Sequence, residues 1–272
     1  MSYAYDANGN RVGETNALNH ATRHGYDALD RLTATTNALG KVWTFGYDAE
    51  SRRTRTTDPN YHSTWFGYDR AGQLTSTTNA LGQVVEFQYD LAGNRTKIID
   101  GRGNPLEFGY DPLNRLTNMT YAVNDAEWFA YDAVGNLTFF TNRAGDVVQY
   151  IYDPVNRMTN KTYLGAGDVT RFDYDAAGQL TDVTRKVSGT TISEVGFRYD
   201  LAGRLLYETQ KVATATARVV GYEYDNAGRR TKMIYPDGTY ITYGYNANGW
   251  LVGISNANNT AIVIYEYDAA GR

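Results

Sequence analysis

The chain has no cysteine among its 272 residues. No disulfide staples it, and neither thiol chemistry nor a zinc–thiolate site is open to it. Histidine is nearly absent as well: His20, His24 and His62 are the whole complement, and their spacing matches no ligand pattern. No apolar run approaches the ~18 residues that a membrane-spanning helix needs. The opening Met1-Ser2-Tyr3-Ala4-Tyr5-Asp6 carries no basic segment followed by an apolar one, so no secretory signal is legible there. A net charge of -4 leaves no basic excess, which argues against nucleic acid as a partner and against a polybasic membrane anchor.

Tyrosine, by contrast, is abundant, with 24 copies, and aromatics make up 14% of the chain. Such a bias calls for a repeat search. Tyr-Asp recurs from Tyr5 through Tyr26, Tyr47, Tyr68, Tyr89, Tyr110, Tyr131 and Tyr152 in steps of 21 residues. It continues at Tyr174, Tyr199, Tyr224, Tyr245 and Tyr267, in steps of 22, 25, 25, 21 and 22. Asn246 replaces the aspartate once in these 13 occurrences. The expectation is one repeat array over residues 1–272, cut from a longer repeat region.

Each period holds two turns. The first follows the tyrosine, as in Asp69-Arg70-Ala71-Gly72 and Asp90-Leu91-Ala92-Gly93. Aspartate at the first position of a type I turn accepts N–H bonds from its own loop, and glycine at the fourth suits a left-handed backbone. Where that glycine is missing stand Asp30, Ser51, Asn114 and Asn156, three of them of the types that tolerate the same geometry. The second turn, about ten residues on, reads Asn37-Ala38-Leu39-Gly40 or Asn79-Ala80-Leu81-Gly82. The 25-residue periods are expected to lengthen only this second loop, around Ser188-Gly189-Thr190 and Ala213-Thr214-Ala215.

Between turns the residues alternate. Trp43, Phe45 and Tyr47 share one face of a strand, with Thr44 and Gly46 on the other. The residue two before the motif tyrosine is Phe or Tyr in 12 of 13 repeats, with His24 the exception. Thr-rich stretches such as Leu74-Thr75-Ser76-Thr77-Thr78 follow the first turn. This is strand chemistry, and short strands alternating with turns read as an all-β antiparallel meander with two strands per period. A sheet of about two dozen strands is too large to stay flat by the usual limit of ~10, so it is expected to curl into a spiral or hollow tube. Phe45, Phe66, Phe87 and Phe108 are expected to stack in one row.

The unit Tyr199-Asp200-Leu201-Ala202-Gly203-Arg204-Leu205 resembles the YD repeat of Rhs proteins. Relatives in that family include toxin-complex subunits, polymorphic toxins and teneurins. The resemblance covers the whole chain. It implies a β-sheet spiralling into a shell, which in bacterial members encloses a toxic C-terminal segment. Neither that segment nor the aspartate-based self-cleavage region before it is read in these residues, so toxin activity is not carried over.

The residues expected to carry the architecture are the motif pairs Tyr26 and Asp27, Tyr47 and Asp48, Tyr68 and Asp69, Tyr89 and Asp90, and Tyr110 and Asp111. They continue with Tyr131 and Asp132, Tyr152 and Asp153, Tyr174 and Asp175, Tyr199 and Asp200, and Tyr224 and Asp225. Gly72, Gly93, Gly135, Gly178, Gly203 and Gly228 complete the set. No catalytic, cofactor or metal residue is expected. Catalysis needs one place where perturbed groups converge, and a repeat spreads the same groups evenly. Asp6-Ala7-Asn8-Gly9-Asn10 has a faint look of a calcium loop but lacks the alternating ligands and distal glutamate, so its aspartate reads as a turn cap. The recurring Arg31, Arg52, Arg115, Arg157, Arg204 and Arg229 read as partners of nearby carboxylates whose stems cover aromatic surface, ahead of an anion- or sugar-binding role. The function expected is a non-enzymatic β-sheet shell or tube, part of an encapsulating cage of the kind the resemblance implies or of an extracellular tubular or filamentous assembly, outside the cell or at its surface and of bacterial type. Its partners would be flanking repeats or further copies at open sheet edges, with an enclosed polypeptide cargo. The alternative is a carbohydrate-binding or adhesive surface, favoured if Trp43, Trp65, Trp128 and Trp250 stand exposed in a groove.

Overall fold

The computed structural model describes residues 1–123, 125–268, 270 and 271. The regular elements among them are all β-strands. Two compact units divide the chain, residues 1–128 and 129–272, and each is an antiparallel meander in which a strand pairs with its neighbours in sequence.

Two kinds of strand alternate. One kind ends on a motif tyrosine, as in Val42–Tyr47, Ser63–Tyr68, Val84–Tyr89 and Tyr240–Tyr245. The other follows the Asp turn and is rich in threonine, as in Arg53–Thr57, Leu74–Thr78 and Leu137–Thr141. The expected two strands per period therefore form. The last motif tyrosine, Tyr267, lies beyond the final strand, Ala261–Ile264.

The hairpins at Asp6, Asp27, Asp48, Asp69, Asp90, Asp111, Asp153, Asp175, Asp200 and Asp225 carry a bulge in the same place. Gly25 faces Ala34 but Tyr26 faces Leu32, so Thr33 has no partner across the ladder. Its hydroxyl bonds back to the Gly25 carbonyl at 3.2 Å. Thr138, Thr159 and Thr181 repeat this contact to Ala130, Ile151 and Asp173. An extra residue bends the strand and increases local twist, and the threonine satisfies a carbonyl that the broken ladder would otherwise leave short of donors.

The lengthened periods differ from the expectation. The added residues extend the strands and not the loop. Leu180–Val187 and Thr190–Tyr199 pair from Asp182 opposite Gly196 to Val187 opposite Thr190, with Ile192 bulged out of the register, and meet at a tight Ser188-Gly189 turn with φ of 48° and 81°. The cause is composition: Thr190, Thr191 and Ile192 are all β-branched, so the segment prefers a pleated strand to an open loop.

Register also corrects the aromatic row. Phe45 faces Thr56, Phe66 faces Thr77, Phe87 faces Ile98 and Phe108 faces Met119. The phenylalanines are thus two strands apart, nearly 10 Å, with a threonine or aliphatic side chain between them. They do not stack ring on ring. They are half-buried, because a sheet face is buried only when a second layer lies on it, and within each unit strands touch only their sequence neighbours. Among the described residues Val148, 5% exposed, is the one buried apolar side chain. The expected curl accordingly brings no strand back onto another inside either unit.

Candidate functional site

The motif aspartate organises its turn through three groups. In Asp200 the backbone N–H donates to the Arg204 carbonyl, and the carbonyl accepts from the Gly203 N–H, both at 2.9 Å. Carboxylate Oδ1 accepts the N–H groups of Ala202 and Arg204 at 2.9 Å. Oδ2 takes the Arg204 Nε at 2.6 Å. Asp27, Asp48, Asp111, Asp153 and Asp225 repeat the arginine pair at 2.7–2.8 Å. Asp90 and Asp132 hold Asn94 and Asn136 instead, while Asp69 and Asp175 cap the N–H of Gln73 and Gln179. Asp6, the calcium candidate, is consumed the same way by Asn8 and Asn10. Among the described residues no cluster of three or more His, Asp or Glu side chains is placed to hold a metal ion.

The fourth turn position is left-handed throughout, as its residue types foretold. Gly72, Gly93, Gly135, Gly178, Gly203 and Gly228 have φ between 81° and 100°, and Asp30, Ser51, Asn114 and Asn156 between 57° and 64°.

Electrostatics follows from this geometry. In Asp111, Asp153, Asp200 and Asp225 the backbone N–H of the fifth-position arginine, reinforced by its side chain, outweighs desolvation and holds the carboxyl below its ordinary value. In Asp90 and Asp132 the asparagine side-chain amide is the leading cause of the same shift. Hydrogen bonds to the charged form favour it.

Two further contacts run between repeats. The motif tyrosine hydroxyl donates to a carbonyl of the repeat before it: Tyr47 to Leu32 at 2.8 Å, Tyr68 to Arg53 at 2.9 Å, and Tyr89 to Leu74 at 2.8 Å. Tyr26 and Tyr110 do the same to Arg11 and Arg95. So do Tyr152, Tyr174, Tyr199 and Tyr224 to Leu137, Met158, Leu180 and Leu205. Tyr131 ends the strand Ala126–Tyr131. Burial pushes the Tyr110 and Tyr152 phenols up.

In the other direction, arginine reaches the repeat after it. Arg52 donates to the Asp69 carbonyl at 2.9 Å and sets its guanidinium 5.0 Å from the Tyr68 ring centroid. Arg31 and Arg204 make both contacts too. The guanidinium itself, not only the stem, covers the ring. The repeats of Arg31, Arg52, Arg157 and Arg204 are thereby clipped to their predecessors by tyrosine and to their successors by arginine.

Sequence reading found the turn cap and the arginine–carboxylate pair. It missed the tyrosine clip and the bulge threonine. The constant spacing from Tyr47 back to Leu32 was the available signal. It becomes meaningful only once two strands are known to separate equivalent positions.

The face opposite the tyrosines is charged. It carries Lys97–Glu107 at 2.7 Å, Arg198–Asp182 at 3.4 Å and Lys232–Glu223 at 3.3 Å. Trp65 and Trp128 stand on it, 49% and 54% exposed, Trp65 beneath the Arg55 guanidinium. Trp43 and Trp250 are half-buried, so the four tryptophans do not share an exposed groove. His24 fills a phenylalanine position and meets Thr35 at 3.2 Å. Among the described residues, no helix is long and apolar enough to cross a membrane.

The family model described as RHS Repeat matches residues 26–63, 68–105 and 131–168. A second, described as Teneurin YD-shell, matches residues 168–272. No curated protein matches the chain. Among solved structures, the TcdB2-TccC3-Cdc42 crystal structure is 14% identical with a TM-score of 0.45, over 99% of this chain and 19% of that one. The Photorhabdus luminescens Tc holotoxin pore is 15% identical with a TM-score of 0.45, over 93% and 17%. A porin-like protein from Bacteroides uniformis is 13% identical with a TM-score of 0.32, over 74% and 90%. The chain spans less than a fifth of the length of the two toxin-complex chains it matches.

Proposed function

Because the chain belongs to the Rhs/YD-repeat family, we propose that it is a stretch of β-wall that curls, with flanking repeats, into a shell around a polypeptide cargo. In this reading residues 1–272 are one continuous array inside a longer repeat region, and the motif tyrosines, aspartates and turn glycines are its structural joints. The wall does no catalysis. It works outside a bacterial cell or at its surface.

The observation that carries the reading is the two-way clip. Tyr47 fastens its repeat to Leu32 before it, and Arg52 fastens the same repeat to Asp69 after it. The most regular polar groups of the chain are therefore spent on joining repeats, as a load-carrying wall requires, and a solenoid gains its stability from such neighbour contacts. Limited proteolysis of the full-length protein tests it. An enclosed segment should resist protease until denaturant opens the wall. Cleavage of that segment at the rate of the isolated peptide would contradict enclosure.

A second reading, a glycan-binding surface, rests on exposed Trp65 and Trp128, since aromatic faces stack on apolar sugar surface. Titration with oligosaccharides, followed by tryptophan fluorescence and repeated with Trp65→Ala and Trp128→Ala, distinguishes it. The shell reading expects no saturable change.

A further inference from the structure

Number the turn from its aspartate, so that Asp90 is position one, Gly93 position four and Asn94 position five. Twelve pairs of successive repeats then set position five of one repeat beside position four of the next. Position five is asparagine three times, at Asn10, Asn94 and Asn136. Position four is aspartate or asparagine three times, at Asp30, Asn114 and Asn156. Each of those asparagines is followed in the next repeat by one of those residues. In the other nine pairs a longer residue, Arg, Gln or Trp, is followed by glycine or by Ser51.

The structure gives the reason. Asn10 Nδ2 donates to Asp30 Oδ1 at 2.6 Å, Asn94 Nδ2 to Asn114 Oδ1 at 2.8 Å, and Asn136 Nδ2 to Asn156 Oδ1 at 2.9 Å. The same amide nitrogen also bonds the aspartate of its own turn at 2.9–3.1 Å. A short asparagine therefore needs its neighbour to bring an acceptor on a side chain. A long residue crosses the gap alone to a backbone carbonyl: Arg31 to Asp48, Arg52 to Asp69, and Gln179 to Gly203. In several pairs its tip lies where a side chain on the glycine would begin. Gln73, Gln179 and Arg229 come within 3.2–3.3 Å of a Cβ built on Gly93, Gly203 and Gly249.

We propose that positions five and four form an address that decides which repeat turn seats beside which. The partner each turn edge recognises is another turn of this same chemistry, on this chain or on a second copy of it. All thirteen units share one turn pattern, so backbone hydrogen bonds alone do not distinguish one turn edge from another, and arrays guard against mispairing with specific mismatches. A slipped pair sets an asparagine amide against a glycine, or an Asx oxygen against a residue that does not need it, and leaves a polar group unmatched. The address goes beyond a wall-forming role and holds whatever the wall encloses.

Hydrogen exchange by mass spectrometry on the full chain tests it, through two cycles. The first comprises Asn94→Arg, Asn114→Gly and both together. The second comprises Arg52→Asn, Gly72→Asn and both together. Asn114→Gly and Arg52→Asn each should speed exchange of the turn amides on either side of the mutated pair by roughly fivefold, the effect of one lost hydrogen bond. Each double variant should exchange more slowly than its two single effects combined would give, because Arg with Gly, and Asn with Asn, are matched addresses. Turns two or more repeats away should keep their rates. Effects that simply combine in both cycles would overturn the address. If one variant fails to fold, the cycle at the other pair decides.

Discussion

At the residue scale, one carboxylate does two separable jobs. Its Oδ1 caps backbone N–H groups, and its Oδ2 anchors the fifth-position side chain. Asn246 shows the first job alone: its Oδ1 accepts from Asn248 and Trp250 at 3.0 and 2.9 Å with no charge present. Asp200→Asn should therefore keep the turn but weaken the hold on Arg204, whereas Asp200→Ala should lose both, with urea melts ranking the two. Each lost bond is worth about 1 kcal/mol. The motif carboxyls also set a pH dependence. Their folded pKa values lie below the ordinary carboxylate value of 3.8. The stability they confer is thus fully present above that value and is lost as pH falls through the depressed folded values. Melting temperature should hold from neutral pH down to about 5 and then fall steeply below about 4. A melting temperature that rises on acidification would contradict the carboxylate cap. Tyr89→Phe should cost about 0.5–1.5 kcal/mol by removing the hydroxyl that holds the Leu74 carbonyl, with faster hydrogen exchange confined to the adjoining repeats.

At the scale of the hairpin, the turn chemistry was written in the sequence and the bulge was not. Asp and Gly three residues apart announce a type I turn with a left-handed fourth residue, and Gly72 at φ 83° is that residue. Gly72→Val should destabilise by roughly 1–3 kcal/mol of backbone strain, more than Gly72→Ala, as chemical denaturation will report. Thr33 gave no such notice. A threonine after leucine reads as one more strand residue, and only the pairing of Gly25 with Ala34 and Tyr26 with Leu32 exposes it as the extra one. The inserted residues near Ser188 read as loop in the sequence for a related reason. Loop and strand extension are equal in length, and the β-branched run Thr190-Thr191-Ile192 decides for the strand. Phe87 completes the case. Its apolar character and face were legible, but the Ile98 opposite it and the absence of a covering layer within its unit were not. Phe87→Ala in this chain should cost about 1–3 kcal/mol, less than the ~3–5 of an enclosed phenylalanine.

At the scale of the whole molecule, stability comes from many neighbour contacts and not from a core. Among the described residues one apolar side chain is buried, while clips of similar geometry recur from Tyr26 to Tyr245. The period of 21 residues made this architecture legible at once, since no other reading explains 13 ordered copies. Electron microscopy of the full-length protein at a resolution that separates strands, about 4.8 Å apart, tests the central claim most directly. The account expects a closed hollow body whose wall continues through these repeats, the Tyr47–Leu32 and Arg52–Asp69 clips lying within it and density inside. An extended fibre with both sheet faces open to solvent and no interior would contradict it.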